Sequence, residues 1–310
     1  MLISSQSNPA IRQIRGLRSR KEREQTGLFF IEGIRIVAEA VQTGAAIESL
    51  VVAPDLLTSD FAGDLVEQQR RTGVPVVEVT PGVFESLSSK DGPQGVGAVV
   101  RQRWESLDAV TPGRGPGWVA LSAVQDPGNL GTILRTADAV GCSGVILVGP
   151  TTDPYDPAAL RASMGAVFAQ RLVRADVAQL ADWKRRTGAV LVGTSDAAAT
   201  DYRSAAYKLP VVLFMGSERQ GLSEEEKSLC DLMVSIPMVG RSDSLNLAVA
   251  TAVVLYELFN QGRGLGPARP EGSARTAHPK APSGSRKRPA LKTGAKPGPK
   301  GRQRPGGPRR

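Results

Sequence analysis

Three separated stretches hold the residues that can do chemistry. The first is Asp126-Pro127-Gly128-Asn129-Leu130-Gly131-Thr132-Ile133-Leu134-Arg135-Thr136-Ala137-Asp138. Asp126 before Pro127 is a helix start, with a side-chain acceptor at the cap and a pre-set φ at the first helical position. Leu130, Ile133, Leu134 and Ala137 recur at helical spacing, so one face enters a core and Arg135 lies off it. Gly131, one turn before Arg135, is disfavoured in a helix interior and marks close approach of another group to the backbone beside the guanidinium. Taken alone, the run equally fits a helix with a solvated arginine.

The second stretch, Phe214 to Leu222, leaves an apolar run and turns through Gly216 and Gly221, with Glu218 between them. It enters a helix whose start, Ser223 with Glu226, has the form of a capping box. The two glycines let the backbone come near a ligand, where its NH groups can contact an adenine or a ribose. In the third, Ser235 to Asn246, a strand ends at Ile236-Pro237, a polar loop follows, and an almost wholly apolar helix runs from Leu245 to Asn260. Ser244 and Asn246 sit at the mouth of that helix, where a hydroxyl and an amide can bind an anion or orient a sugar; a plain helix cap is the competing reading, more natural for Ser244 than for Asn246. Its apolar surface needs cover on most sides, from its own sheet and from a second copy of the chain.

The rest of the composition removes most other chemistries. The only histidine, His278, lies in a low-complexity tail, and the only cysteines are Cys142 and Cys230. No Ser-His-Asp triad, His-assisted thiol or ordinary zinc cluster can be built from the folded part. Acid–base work falls to Arg, Lys, carboxylates, hydroxyls or water. A G-x-G-x-x-G fingerprint and a phosphate-binding P-loop are both missing. The cysteines lie among apolar residues, which suits buried structural thiols in a reducing compartment. With no signal-peptide core and no apolar run long enough to span a bilayer, a soluble cytoplasmic protein is expected.

The net charge of +9 over 310 residues is unevenly placed. Residues 263 to 310 carry 14 Lys and Arg against one acid, Glu271, so the 262 residues before them are mildly acidic at −4. That Pro- and Gly-rich basic tail has too little apolar area to fold and is of a kind that attaches to nucleic acid; a solubilising tail is the alternative. Near the N-terminus a helix is expected, with Ile11, Ile14 and Leu17 as one stripe and Arg12, Arg15 and Arg18 beside it. Arg20, Lys21 and Arg23 extend the charge. This pattern suits cations offered to phosphates, and equally a solvated face.

Strand and helix patterns alternate over the first hundred residues, giving a small α/β sandwich over 1–105 without a catalytic constellation. A Pro/Gly-rich linker, 106–117, follows. From 118 to 262 strands are expected at 118–121, 144–148, 190–193, 211–216 and 233–237, with helices at 129–140, 157–165, 177–187 and 223–229. That order predicts a mostly parallel sheet covered on both faces, with ligands beyond the carboxyl ends of its strands, where all three unusual stretches fall.

Together the three stretches resemble the SpoU (TrmH-like) family of RNA ribose methyltransferases, within the SPOUT superfamily. Asn129-x-Gly131-x-x-x-Arg135-x-Ala137 is similar to its first motif, and Gly216-x-Glu218-x-x-Gly221 to its second. Ile236-Pro237-Met238 with Ser244-Leu245-Asn246 is similar to its third. Asp153-Pro154-Tyr155-Asp156-Pro157 and Ala162-Ser163-Met164-Gly165-Ala166 also fit the pattern. Phe30-Ile31-Glu32-Gly33 resembles the ribosomal-protein-like substrate-binding domain often placed ahead of that catalytic domain, so the resemblance spans about residues 5 to 262.

The resemblance implies S-adenosylmethionine as methyl donor, held by backbone around Gly216, Ile236 and Leu245, and no metal. It implies a deep trefoil knot in the catalytic domain and an obligate homodimer with the active site at the interface. Arg135 becomes the catalytic residue, with Asn129, Glu218, Ser244 and Asn246 arranging it and the substrate ribose. The substrate implied is a structured RNA, ribosomal RNA first and transfer RNA second. A permanently charged guanidinium is a poor proton acceptor. Arg135 is therefore expected to stabilise the developing alkoxide while a phosphate oxygen or water takes the proton, although the family assigns this arginine as general base. Three other functions remain open: a non-catalytic RNA-binding protein on the same fold, a nucleotide-dependent oxidoreductase, and a methyltransferase acting on a base nitrogen.

Overall fold

The computed structural model describes residues 2–89 and 91–265. The basic tail, apart from its first three residues, lies outside them, as does His278.

The N-terminal stripe folds as two short helices rather than one. Helix α1 (Pro9–Gly16) is capped by Asn8, whose side chain accepts from the Ala10 NH, and Ser19 precedes α2 (Arg20–Thr26). Next come β1 (Leu28–Glu32), α3 (Ile34–Gln42), β2 (Ile47–Val52), α4 (Asp60–Arg71), β3 (Val76–Glu78), α5 (Pro81–Leu87) and β4 (Val96–Arg101). The strands form a four-stranded sheet in the order β1-β4-β2-β3, antiparallel except for the β2–β3 pair. Strand alternation divides the core. Leu28 and Phe30 pack with Ile11 and Ile14 of α1, with Leu17 just after it, and with Val83, Phe84 and Leu87 of α5. Phe29 and Ile31 point to the other face, with Val37 of α3 and Leu65 and Val66 of α4.

Residues 106–117 make a short turn pinned to the second half by the Trp183 Nε1–H bond to the Val110 carbonyl (2.9 Å) and the Trp118 Nε1–H bond to that of Thr111 (2.8 Å). The second half comprises β5 (Gly117–Ser122), α6 (Pro127–Ala139), β6 (Gly144–Val148), α7 (Pro157–Ser163), α8 (Ala166–Ala169), β7 (Leu172–Ala175), α9 (Val177–Thr187), β8 (Val190–Thr194), β9 (Thr200–Asp201), β10 (Val211–Met215), α10 (Glu224–Ser228), β11 (Leu232–Ser235) and α11 (Leu247–Gly262). Its seven strands are ordered β7-β6-β5-β10-β8-β11-β9, every pair parallel. Strands β5, β6 and β10 are buried along their whole length, as near-continuous Val, Ile and Leu runs require between two helical layers. Sequence patterning misses β7 and β9, which are too short to carry a period. None of the described helices is long and apolar enough to cross a membrane.

The two sheets share one core. The ring of Phe29 in β1 packs tilted against Tyr155 of the second half, 4.5 Å between centroids, and is stacked with Phe168 at 6.1 Å. Beside this junction lies Arg23, only 1% exposed. It does not extend the solvated basic stripe as its spacing suggests. Its Nε donates to Asp153 (2.7 Å), its Nη1 to the carbonyls of Leu17 (2.9 Å) and Arg18 (2.8 Å), and its Nη2 to Asp156 (3.4 Å). A planar fork with four of its five N–H donors bonded, two of the bonds to carboxylates, is a form in which a buried cation is tolerable.

Candidate active site

The strands β5, β10 and β11 end at Ser122, Met215 and Ser235, and the three unusual stretches leave from those ends. Because β10 pairs directly with β5, the loops after them are neighbours although about ninety residues separate them in sequence.

The turn out of β5 passes through Ala123, a non-glycine residue at φ 47°. Such left-handed backbone is uncommon and persists where its surroundings enforce it. The Ala123 NH donates to the Val148 carbonyl (3.0 Å), and the Gln125 side chain ties the Ala123 and Pro150 carbonyls together (2.9 Å each). Asp126 then caps α6, accepting from the Asn129 NH at 2.6 Å, with Pro127 in the first turn as the sequence predicts. Residues 123 and 125 carry no motif that sequence reasoning can detect.

Asn129 joins all three loops. Its Nδ2 donates to Glu218 Oε1 (3.3 Å), and its Oδ1 accepts from Asn246 Nδ2 (2.9 Å). Glu218 also receives the peptide NH groups of Gln125 (3.4 Å) and Asp126 (3.5 Å), placing its carboxylate over the start of α6. A negative charge there is favoured by the exposed NH groups of a helix N-terminus. Beneath, Glu226 is buried and accepts from Ser122 Oγ and from the Ser223 NH (2.8 Å). The capping box at Ser223 and Glu226 is therefore present, and its carboxylate also anchors α10 under the end of β5.

The structure shows what comes close to the backbone at Gly216 and Gly131. A Cβ on Gly216 would lie 2.0 Å from the carbonyl carbon of Gly221 and 2.2 Å from the nitrogen of Leu222. The space is taken by the loop itself, closed by reciprocal Ser217–Gly221 backbone bonds of 3.1 Å, with Gly221 at φ 65°. Both glycines shape the turn that presents Glu218. On Gly131 a Cβ would lie 2.3 Å from the Ala159 carbonyl oxygen. The group that approaches this helix is thus α7, on the side away from solvent.

In the third loop Asn246, not Ser244, is the helix cap: its Oδ1 accepts from the NH groups of Ala248 (2.9 Å) and Val249 (3.3 Å), and α11 begins at Leu247. Ser244 is exposed and makes no hydrogen bond among the described residues. Ile236 is half-buried against the core, while Met238 (38%) and Leu245 (39%) expose apolar surface. Among the described residues, no peptide NH from Met238 to Leu245 donates a hydrogen bond. Free donors beside exposed apolar side chains fit a ligand with a flat apolar face and acceptors at its edge.

Arg135 is not in this cluster. Six residues beyond Asn129, it lies about 9 Å further along α6 and well round its circumference. It is exposed and has no hydrogen-bond or ion-pair partner among the described residues. Neither cysteine belongs to the site. Cys142 is buried, and burial pushes its thiol up to about 12, while Cys230 donates to the Glu226 carbonyl and is pushed up to about 11.

Residues 117–256 match the model of the SpoU rRNA methylase family, and residues 8–98 that of the MRM3-like substrate-binding domain. A 23S rRNA (uridine(2479)-2'-O)-methyltransferase of Streptomyces viridochromogenes is 33% identical over 252 residues, covering 79% of this chain and 87% of that protein. A 23S rRNA (guanosine(2553)-2'-O)-methyltransferase of Bacillus subtilis is 29% identical over 256 residues, covering 83% and 98%. The crystal structure of an AdoMet-bound rRNA methyltransferase from Sinorhizobium meliloti superposes with a TM-score of 0.77 at 40% identity, covering 84% of this chain and 97% of that one. With the three motif loops gathered at the strand ends, these similarities show that the chain belongs to the SpoU rRNA methylase family.

Proposed function

We propose that this protein transfers a methyl group from S-adenosylmethionine to a ribose 2′-hydroxyl of ribosomal RNA. The observation that carries the reading is the Asn129 side chain, bonded at once to Glu218 and Asn246, which gathers the three loops into one polar cleft edge. S-adenosylmethionine, when bound, supplies an electrophilic methyl group on a sulfonium. The free peptide groups and apolar side chains of the 236–246 loop, with the turn at Gly216, are the residues that would hold it.

The ribose hydroxyl becomes a nucleophile only as its proton leaves, so the protein has to orient it and stabilise the developing alkoxide. Asn129, Glu218 and Asn246 form the orienting set, with Ser244 on the same loop. Arg135 is the stabilising charge, and a phosphate oxygen or water takes the proton. Among the described residues of a single chain, Arg135 has no partner. Helix α11 packs against α6, and Val249 and Tyr256 of α11 and Leu245 just before it are 51%, 49% and 39% exposed. A second copy covering this apolar face would enclose Arg135, which supports a homodimer with its site at the interface. The trefoil knot belongs to the same reading, supported by the return of α11 to pack against α6. A cytoplasmic location follows from a ribosomal substrate.

The test is methyl incorporation into RNA from cells lacking the protein, with nuclease digestion and mass spectrometry of the product. We expect 2′-O-methylated nucleosides in the ribosomal fraction, a severe loss for Arg135→Ala and partial retention for Arg135→Lys. Near-normal turnover by Arg135→Ala would rule out the role given to it. Methylation confined to transfer RNA or to a base would redirect the substrate assignment. Absence of heat on titrating S-adenosylmethionine into the protein would leave only an RNA-binding function.

A further inference from the structure

A second cleft, of about 300 Å³, lies where the N-terminal half meets α7, away from the motif loops. Apolar walls come from Phe30 and Ile36 on one side and Pro157 and Leu160 on the other, and the guanidiniums of Arg18 and Arg161 stand at its rim. Its size is at the lower end of small-ligand pockets. It exists only because the halves are docked. Phe30 belongs to β1 and Leu160 to α7, and the buried Arg23–Asp153–Asp156 contact holds the two together.

Among the described residues, the rim cations bond to neutral groups. Arg18 donates to the carbonyls of Ser86 (3.2 Å) and Ser88 (2.8 Å), and Arg161 to Ser89 Oγ (3.1 Å). Neither pairs directly with a carboxylate among the described residues, although Ser89 Oγ in turn donates to Glu32 (2.8 Å). Arg15 of α1 lies beside Arg18, donating to Ser86 Oγ (2.7 Å), the residue whose carbonyl Arg18 holds. The interior also holds the carboxylates of Glu32, which accepts from the Ser89 NH and Oγ (2.8 Å each), and of Asp156, which accepts from the Ala158 NH (2.8 Å) and Arg23 (3.4 Å). Apolar walls and flanking cations, with carboxylates inside that repel a free anion, suit a heterocyclic base whose phosphates stay at the rim better than a free anion.

The location favours the same occupant. Helix α7 presents Ala159, Ala162 and Ser163 to Gly131 of α6 and turns Pro157, Leu160 and Arg161 to the cleft. The cleft therefore stands about one helix diameter from the helix that carries Asn129. A short run of unstacked RNA spans that distance.

Resting on the methyltransferase reading above, we propose that this cleft takes an unstacked nucleotide of the substrate RNA other than the one methylated. It would set which ribose reaches Asn129 by holding a neighbouring base. The test uses the full chain, S-adenosylmethionine and total RNA from cells lacking the protein, comparing wild type with Arg161→Ala and with Ala158→Trp, which fills the cleft from an accessible helix position. Arg71→Ala, an exposed cation far from the cleft, is the charge control. We expect KM for RNA to rise about tenfold in the two cleft variants, as for loss of one base-stacking or phosphate contact. Their kcat, donor affinity by calorimetry and melting temperature should stay at wild-type values, as should all parameters of the control. In 4-thiouridine-substituted RNA, a photo-cross-link to the segments containing Phe30 or Leu160 is the direct sign of occupancy. Unchanged KM in both cleft variants, or cross-links confined to the motif loops, would overturn the proposal while leaving the methyltransferase reading intact. Failure of the wild-type chain to bind or methylate any RNA would overturn both.

Discussion

Gly131→Ala gives a prediction whose sign depends on the tertiary structure. In an isolated helix the change is stabilising by about 1 kcal/mol, because alanine restricts the unfolded chain and suits the helix. Here the new methyl would lie 2.3 Å from the Ala159 carbonyl oxygen, 2.7 Å from Ala162 Cβ and 3.0 Å from the Ser163 nitrogen. Two of these are backbone atoms, which cannot rotate aside, so α7 and α6 must separate by about 1 Å to restore ordinary contact. Helix α7 is poorly placed to yield. Asp156 caps it and accepts from Arg23, and its far end turns sharply through Met164 at φ 53° and Gly165 at φ 97°. Overpacking of this kind costs about 1–3 kcal/mol, and rigid backbone puts it at the upper end. Against the propensity gain the net is a destabilisation of about 2 kcal/mol, a fall in Tm of about 4–8 °C for a body of this size. Urea unfolding followed by tryptophan fluorescence reads it directly through Trp118 and Trp183, both fully buried. Asn129 precedes the strained turn by two residues, so methyl transfer should fall as well. A variant as stable as wild type, or more so, would show that α7 does not press on α6 as described.

Further outcomes follow from the buried groups. Arg23→Ala strands the Asp153 carboxylate, only 3% exposed, and should cost about 3–5 kcal/mol; the double change Arg23→Met with Asp153→Leu should recover most of that loss. An Arg23→Ala protein within 1 kcal/mol of wild type in urea unfolding would refute the importance of the pair. Burial raises the Cys142 thiol from 9.0 to about 12, so its contribution to stability is complete below pH 9. Above pH 9 the unfolded chain ionises first, and stability falls as pH rises towards the folded value, by up to about 4 kcal/mol. Cys142→Ala should flatten this alkaline decline, and an unchanged slope between pH 9 and 12 would count against it. Glu218→Gln keeps the shape of the turn but removes the charge facing Gln125, Asp126 and Asn129. We expect an unaltered melting temperature with at least a tenfold loss of methyl transfer, checked by calorimetry and methyl incorporation side by side.

The sequence alone determined what depends on neighbours a few residues apart. Asp126-Pro127 starts a helix, Ser223 and Glu226 close a capping box, and 177–187 is helical, because caps and i, i+3, i+4 spacing are local properties. The apolar runs at 144–148 and 211–215 are strands of a parallel sheet because such runs have to be buried on both faces. Tertiary structure decided everything that depends on which distant segments meet. The insertion of β10 beside β5 brings Glu218 to Asn129, and the return of α11 brings Asn246 to the same amide. Arg23, in sequence one more residue of a basic stripe, becomes the buried joint of the molecule, because its acidic partners arrive from 130 residues away. Gly131 and Gly216 are legible as places of close approach, but spacing cannot say what approaches. Packing supplies α7 for one and the loop's own return for the other. Arg135 is the converse case: its role was read from a motif, while the single chain leaves its guanidinium in solvent, since exposure within one copy is fixed by packing that a motif does not encode.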